Sequence, residues 1–354
     1  MASFFKTFLN SDKTTTRSLL HESIPVTGSI ASGTYASSAN IKNYAHGMFQ
    51  SVYDYPYLSS SANHIFDLTV GYHSSSSLSS STQNATQRKN KINMYNQLAQ
   101  ILMGHDRNGS IERFDIDGNL VDAVGKMNEV IFVNFARLLT KDEVKKGSVT
   151  LELGVSGTYA SPCLKRIKLT DTSGSNGYFV NGAIGQYGTL FCTNTAGSPL
   201  NGSDTDAMGG LIFYQAGIAA ITASVFGSLL SSSCEMNSAG ETIDAILTGS
   251  TVTSICDEFR HRIYNVQYNN TTELNSTIYF CRFNNNEFNY SSNPTYTSAS
   301  RMVVKNDAID MPVSYLTTVG LYSADNELLA VAKLSEPLRK DPATELTLRV
   351  RLDY

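Results

Sequence analysis

The sequence has no tryptophan, eight prolines, five cysteines and little charge. Each shortage excludes something. Lys and Arg number 27 against 31 Asp and Glu, a formal net charge of −4. That balance provides no basic footprint for wrapping nucleic acid. Charged side chains make up 16% of the chain, where globular domains average about 25%. No apolar run reaches the ~18 residues of a membrane-spanning helix. Met1 to Asn10 carries Phe4, Phe5, Phe8 and Leu9, too short and too lightly charged a run for a signal peptide, so synthesis in a cytoplasm is expected. The cysteines, Cys163, Cys192, Cys234, Cys256 and Cys281, are odd in number and widely spaced, with no C-x-x-C. Neither a zinc site nor a disulfide framework fits, and buried reduced thiols are expected.

Signatures of chemistry are equally scarce. A G-x-S-x-G elbow, a P-loop and a dinucleotide fingerprint are missing, and Gly154-Val155-Ser156-Gly157 lacks the last glycine of an elbow. His105 to Ser110 followed by Asp115 to Asn119 suggests a calcium loop by composition. Counted from Asp106, however, the sixth residue is Ile111 and the twelfth Asp117, where glycine and glutamate are required. Asp-Gly and Asn-Gly make turns unaided. Six histidines, His21, His46, His64, His73, His105 and His261, form no H-E-x-x-H or H-x-H pattern. His64 and Asp67 would lie on opposite faces of one strand, and His261 and Asp257 would face each other on a helix. His261 would share its helix with Cys256, and a Cys–His pair brought together by the fold is the residual nucleophilic option. The expectation is no catalytic residue, no metal, no cofactor and no small-molecule substrate. Sequons such as Asn84-Ala85-Thr86 arise by chance in a chain this rich in Asn, Ser and Thr.

What is present is hydroxyl and aromatic: Ser plus Thr fill roughly a fifth of the chain, with 19 Tyr and 16 Phe. Such side chains solvate a surface without charge. They suit a protein packed against neighbours, where burying charge is costly.

Along the chain, residues 1–60 show no steady period and read as an extended amino-terminal arm. Ile65 to Tyr72 reads as a strand, and the serine run Ser74 to Ser81 as a linker or exposed loop. Thr86 to Met103 is the clearest helix: Ile92, Tyr95, Ala99 and Leu102 share one face, and Gly104 stands at its end. Gly109 to Val124 reads as a hairpin about Asp117-Gly118, and Glu129 to Arg137 as a strand. Thr140 to Glu143 reads as a capping box opening a helical turn that Gly147 closes, and Ser148 to Leu153 as a strand. Short strands fill 159–227. Leu211 to Tyr214 and Ile218 to Ile221 make either a hairpin buried on both faces or a helix. Gly240 to Val266 is the second helix, with Ile243, Ile246, Ile255, Phe259 and Ile263 on one side. Asn275 to Asn289 is strand-like. Val313 to Tyr322 and Glu327 to Leu334 form a hairpin around Ser323 to Asn326. Glu345 to Tyr354 alternates, with Leu346, Leu348, Val350 and Leu352 on one face, and its end is expected to be tied into a sheet.

The fold expected is therefore mainly β (α+β): β-sandwich-like sheets, two moderate helices near 86–103 and 240–266, and an extended amino-terminal arm. It divides into the arm (1–60), a β-rich core domain (61–270) and a carboxy-terminal hairpin and sheet region (271–354) packed with the core. Phe283, Phe288, Tyr290 and Tyr296, interleaved with Asn, would suit either a sugar-binding face or a loop packing its rings on the sheet.

The stretches Asn289 to Tyr296, Tyr315 to Tyr322, Asn326 to Leu334 and Leu348 to Tyr354 together resemble the ending of a group of virion structural proteins of tailed, myovirus-like phages. T-T-V-G-L-Y, a turn, then L-L-A-V-A-K-L is similar to a hairpin of phage tail and baseplate attachment domains. Lys91 to Gly104 and Glu129 to Gly154 resemble the same group. The resemblance carries no catalytic residues. It implies a structural subunit of the virion, assembled in the host cytoplasm, in the tail baseplate or neck. Its partners would be other virion proteins and further copies of itself in a symmetric ring. Asn293, Pro294, Tyr296, Tyr322 and Tyr354 are the expected interface residues. The alternative is a carbohydrate- or receptor-binding module of the tail.

Overall fold

A computed structural model of the chain describes residues 5–23, 35–80, 85–120, 125–156, 165–171, 178–193, 208–227, 236, 240–289, 297–298, 301–302 and 312–354. Asn293, Pro294, Tyr296, Tyr290, Cys163 and Cys234 lie outside these residues. The chain is mainly β, with α-helices, as expected. Its strands are β1 (Lys13–Ser23), β2 (Ile41–Asn43), β3 (Gln50–Tyr53), β4 (His64–Tyr72), β5 (Glu129–Phe135), β6 (Glu143–Val144), β7 (Thr150–Ser156), β8 (Lys165–Thr170), β9 (Tyr178–Gly182) and β10 (Gly185–Thr193). They continue with β11 (Met208–Phe213), β12 (Ile218–Thr222), β13 (Ile263–Gln267), β14 (Asn269–Phe283), β15 (Thr297–Ser298), β16 (Arg301–Met302), β17 (Ser314–Tyr322), β18 (Leu328–Lys340) and β19 (Leu346–Asp353). The helices are α1 (Ala85–Leu102), α2 (Arg137–Thr140), α3 (Ile243–Gly249) and α4 (Val252–Arg260). Two compact units result: Leu20–Thr272, and Met1–Leu19 together with Glu273–Tyr354. The second boundary falls two residues from the division expected at 270/271.

The larger unit is built on an eleven-stranded sheet in the order β13-β7-β8-β10-β11-β12-β5-β4-β3-β2, with β9 also on β10. Its central strands are almost continuously apolar because both faces are covered. On one face Phe66, Leu68 and Val70 of β4 join Ile131, Val133 and Phe135 of β5, along with Ile255 and Phe259 of α4. On the other, Val130 and Phe132 join Phe213 and Tyr187 against Tyr95, Ala99 and Leu102 of α1. β11 and β12 form the buried hairpin, with Phe213 opposite Ile218 and Gly210 opposite Ile221. Their β-branched residues favour strands, and Gly209 and Gly210 disfavour the helical alternative.

α1 matches the expected helix, with one change on its buried face. Tyr95, Ala99 and Leu102 are buried, but the fourth position is Lys91, not Ile92. Gly71 lets the helix lie close, since a Cβ there would come within 2.7 Å of the Lys91 carbonyl and the Tyr95 amide. Gly104, at φ +87°, ends the helix by donating its N–H to the Ala99 carbonyl.

Several expectations are corrected. Residues 1–60 are not one irregular arm. β1 is an eleven-residue strand, and β2 and β3 extend the large sheet beside β4. Exposure hid β1: its residues 13–21 are all exposed, so no apolar period marks them. The single helix over 240–266 is instead α3, α4 and β13. The break at Ser250-Thr251 places the Thr251 hydroxyl to accept the Ser254 N–H at 3.2 Å, starting a fresh helix. Thr140 closes a helical turn and does not open one: α2 precedes it, Lys141 takes φ +54°, and Glu143 enters β6. The serine run is an exposed loop and no linker, with Ser74, Ser75, Ser77 and Ser80 exposed. Ser76 is buried and bonds Glu129, and Leu78 packs against the core. Of the hairpin expected over Gly109 to Val124, residues 121–124 lie outside the described residues, and the described part makes turns with isolated antiparallel bridges at His105–Ile111 and Asp115–Lys126.

In the smaller unit β14 and β19 pair antiparallel from Ser276 opposite Asp353 to Phe283 opposite Leu346. Half-buried and exposed residues alternate along β19, as its sequence alternates. Tyr354 and Asn275 exchange both backbone hydrogen bonds, at 2.9 and 3.0 Å, so the last residue is tied into the ladder. β17 and β18 form a separate two-stranded ribbon, the hairpin expected, with Ser323 closing its loop.

Candidate functional site

Among the described residues, the ribbon carries five exposed large apolar side chains. Its register sets Val319 against Ala332, Gly320 against Val331 and Leu321 against Ala330. Leu321 is buried, but Leu329, Val331 and Tyr322 are 67%, 53% and 46% exposed, and Leu328 and Tyr315 are similarly open. A run of exposed apolar groups this dense marks a contact surface. The two edges of the ribbon differ. β18 carries Lys333, Glu336, Pro337 and Arg339, residues of the kind that discourage strand addition. β17 carries no charge and no proline over its nine residues, and among the described residues β18 is its only strand partner.

The ribbon's base is held by buried polar contacts. Lys340 is wholly buried, and its Nζ donates to the Asn285 and Asp341 carbonyls and to Asn289 Oδ1 at 2.7 Å. All three ammonium protons are used. Off the ribbon, in partly exposed pairs, Arg282 of β14 meets Asp12 at 2.8 Å and Lys6 meets Glu287.

Of the expected interface residues, Tyr322 lies on β17 with its ring 4.8 Å from that of Phe5. Tyr354 is 66% exposed, and its hydroxyl is 3.1 Å from Thr277 Oγ1. Asn293, Pro294 and Tyr296 are outside the described residues. The sequence reading missed Leu329 and Val331, although alternation in β18 would have placed them on the same side of the ribbon. In the suggested sugar face, Phe283 and Phe288 pack edge to face on each other at 5.3 Å.

The residues singled out for chemistry have other partners. Asp106 Oδ1 accepts the N–H groups of Asn108 and Ser110, both at 2.8 Å. These bonds hold its carboxyl below the usual range. Asp117 accepts from Asn119 in the same way. Asp115 is fully buried with its Oδ2 2.8 Å from Lys126 Nζ. Burial, then the neighbouring Asp117, push it up to about 6. Cys256 donates to the Leu68 carbonyl at 3.3 Å, and burial raises its thiol, as it raises Cys192 to about 12. Thiols so held stay protonated and are poor nucleophiles. Asp257 turns its carboxylate to Arg260 and Gln50, while His261 Nδ1 lies 2.6 Å from the Asp257 carbonyl. His64 and Asp67 correct the sequence reading. The ladder between β3 and β4 shifts at Tyr53, so alternation fails at the start of β4, and His64 Nε2 lies 2.8 Å from Asp67 Oδ1.

No described helix is long and apolar enough to cross a membrane. Comparison with family models, curated proteins and solved structures finds no match to this chain.

Proposed function

We propose that the chain is a structural subunit of a tailed-phage particle, placed in the baseplate or neck and joined to other virion proteins and to its own copies through β-surfaces. The observation that carries the assembly half of this reading is the β17–β18 ribbon, with Leu329, Val331 and Tyr322 exposed beside a charge-free edge strand. A free-standing protein gains nothing from exposing these groups, and a permanent interface gains their burial, roughly 2 kcal/mol for each aliphatic side chain fully covered. The phage half rests on the sequence resemblance of the same hairpin and of the carboxy-terminal strand. Subunits of this kind act by contact area and need no catalytic constellation, and symmetry would repeat each contact around a ring.

Removing residues 1–40 is a poor test, because it strips β1 from its neighbour β14 and bares that strand's edge. Leu329→Asp is cleaner, since Leu329 is two-thirds exposed and its loss removes little burial. In a phage complementation assay the variant is expected to fold, with unchanged melting, and to be absent from purified particles. Wild-type incorporation by Leu329→Asp would remove the ribbon from the account.

A further inference from the structure

A second surface lies in the larger unit. Cross-strand register sets Lys42, Ser51, Asp67 and Asn134 in one row across β2, β3, β4 and β5. α1 covers the same side of the sheet further along, at Gly71 and Phe132, but not this row. Asn134 is exposed, Lys42 is half-buried, and the Asp67 side chain keeps 24% of its surface.

Two groups of rings adjoin the row. Tyr44 bonds the Ser51 hydroxyl at 3.2 Å, stacks on His46 at 5.3 Å and meets Phe49 at 4.7 Å, with Lys42 Nζ 5.0 Å from its ring centre. At the other group Tyr53 lies 5.4 Å from His64 and 6.4 Å from Tyr57. The polar centre between them is preorganised. Ser51 donates to Asp67 Oδ1 at 2.5 Å, and His64 Nε2 lies 2.8 Å from the same oxygen. Asp67 Oδ2 and the Asn134 amide bond no group among the described residues.

We infer that this strip binds a neutral oligosaccharide. A fixed carboxylate oxygen with a free lone pair accepts from sugar hydroxyls, a carboxamide both donates and accepts, and flanking rings take the C–H faces of pyranoses. Charge selects among ligands. One lysine faces one carboxylate, so the row is close to neutral and offers too little positive charge to hold a phosphate backbone. A peptide strand would need a free sheet edge, and the row lies on a face. The rings sit on Tyr44, Phe49, Tyr53 and Tyr57, not on the Phe283–Tyr296 segment that composition suggested.

The test uses the full chain on an array of neutral and sialylated oligosaccharides, followed by titration with the best neutral hit. Wild type is expected to bind neutral members. Asp67→Asn and Tyr44→Ala should each weaken that binding at least about tenfold. Asn134→Ala, at an exposed position without bonds, should weaken it while leaving the melting temperature unchanged. Leu329→Asp should bind the glycan as wild type does, so loss of assembly and loss of glycan binding are read separately. No neutral glycan bound, binding to sialylated members only, or undiminished binding by Asn134→Ala and Asp67→Asn together would each overturn the assignment.

Discussion

Lys91 shows how one residue can contradict its local pattern. On a helix face that otherwise buries Tyr95, Ala99 and Leu102, it is fully enclosed. Its Nζ donates to the carbonyls of Leu247 and Ser250, both at 2.6 Å. These sit at the carboxy-terminal end of α3, where carbonyls lack helical partners and a cation is favoured. Burial lowers its pKa to about 8. Lys91→Met leaves both carbonyls unpaired and is expected to cost about 1–3 kcal/mol at neutral pH, measured by urea denaturation. The sign of the pH effect follows from the depressed value. Between about 8 and the ordinary 10.5 the unfolded chain holds the proton that the native chain has released, so stability rises with pH across that window. Lys91→Met should lack that rise. None of this was legible in sequence, where Lys91 is one of several basic residues at a helix start and its partners lie about 150 positions away.

At the scale of elements, legibility followed burial. β4, β5 and β19 were readable because one or both of their faces are covered and their side chains record it, whereas the β11–β12 hairpin, apolar on both faces, left a helix equally open. β1 was not readable, because a strand exposed along residues 13–21 carries no apolar period; its pairing with β14 and polar contacts such as Arg17 with Glu273 hold it instead. The run 240–266 reads as one helix because Ile243, Ile246, Ile255 and Phe259 are all core residues, and a helix pair with a two-residue break between keeps nearly the same spacing. Thr251 is the signal that marks the break. Thr251→Ala removes the bond to the Ser254 N–H and is expected to lower stability by about 1 kcal/mol. Thr251→Asn, which can replace the acceptor, should restore most of it. Equal melting temperatures for wild type and both variants would show that the cap contributes nothing. The candidate surfaces were only partly legible: Tyr322 was singled out, but the exposure of Leu329 and Val331 depends on what the rest of the unit leaves uncovered.

At the scale of the whole molecule, the low charge takes on a more local meaning. The larger unit closes its sheet on both faces with apolar side chains and leaves one polar, ring-flanked strip open. The smaller unit leaves a ribbon whose exposed groups are apolar and whose one edge is free of charge. Neither surface needs net charge for the contacts assigned to it: one lysine faces one carboxylate among hydroxyls and rings in the strip, and the ribbon relies on aliphatic burial. Assembly through the ribbon is the central claim, and the solution mass of the purified full chain tests it most directly. Light scattering at micromolar concentration should give a multiple of the single-chain mass for wild type and the single-chain mass for Leu329→Asp. A wild-type chain that stays single across that range, or a Leu329→Asp chain that assembles as wild type does, would contradict it.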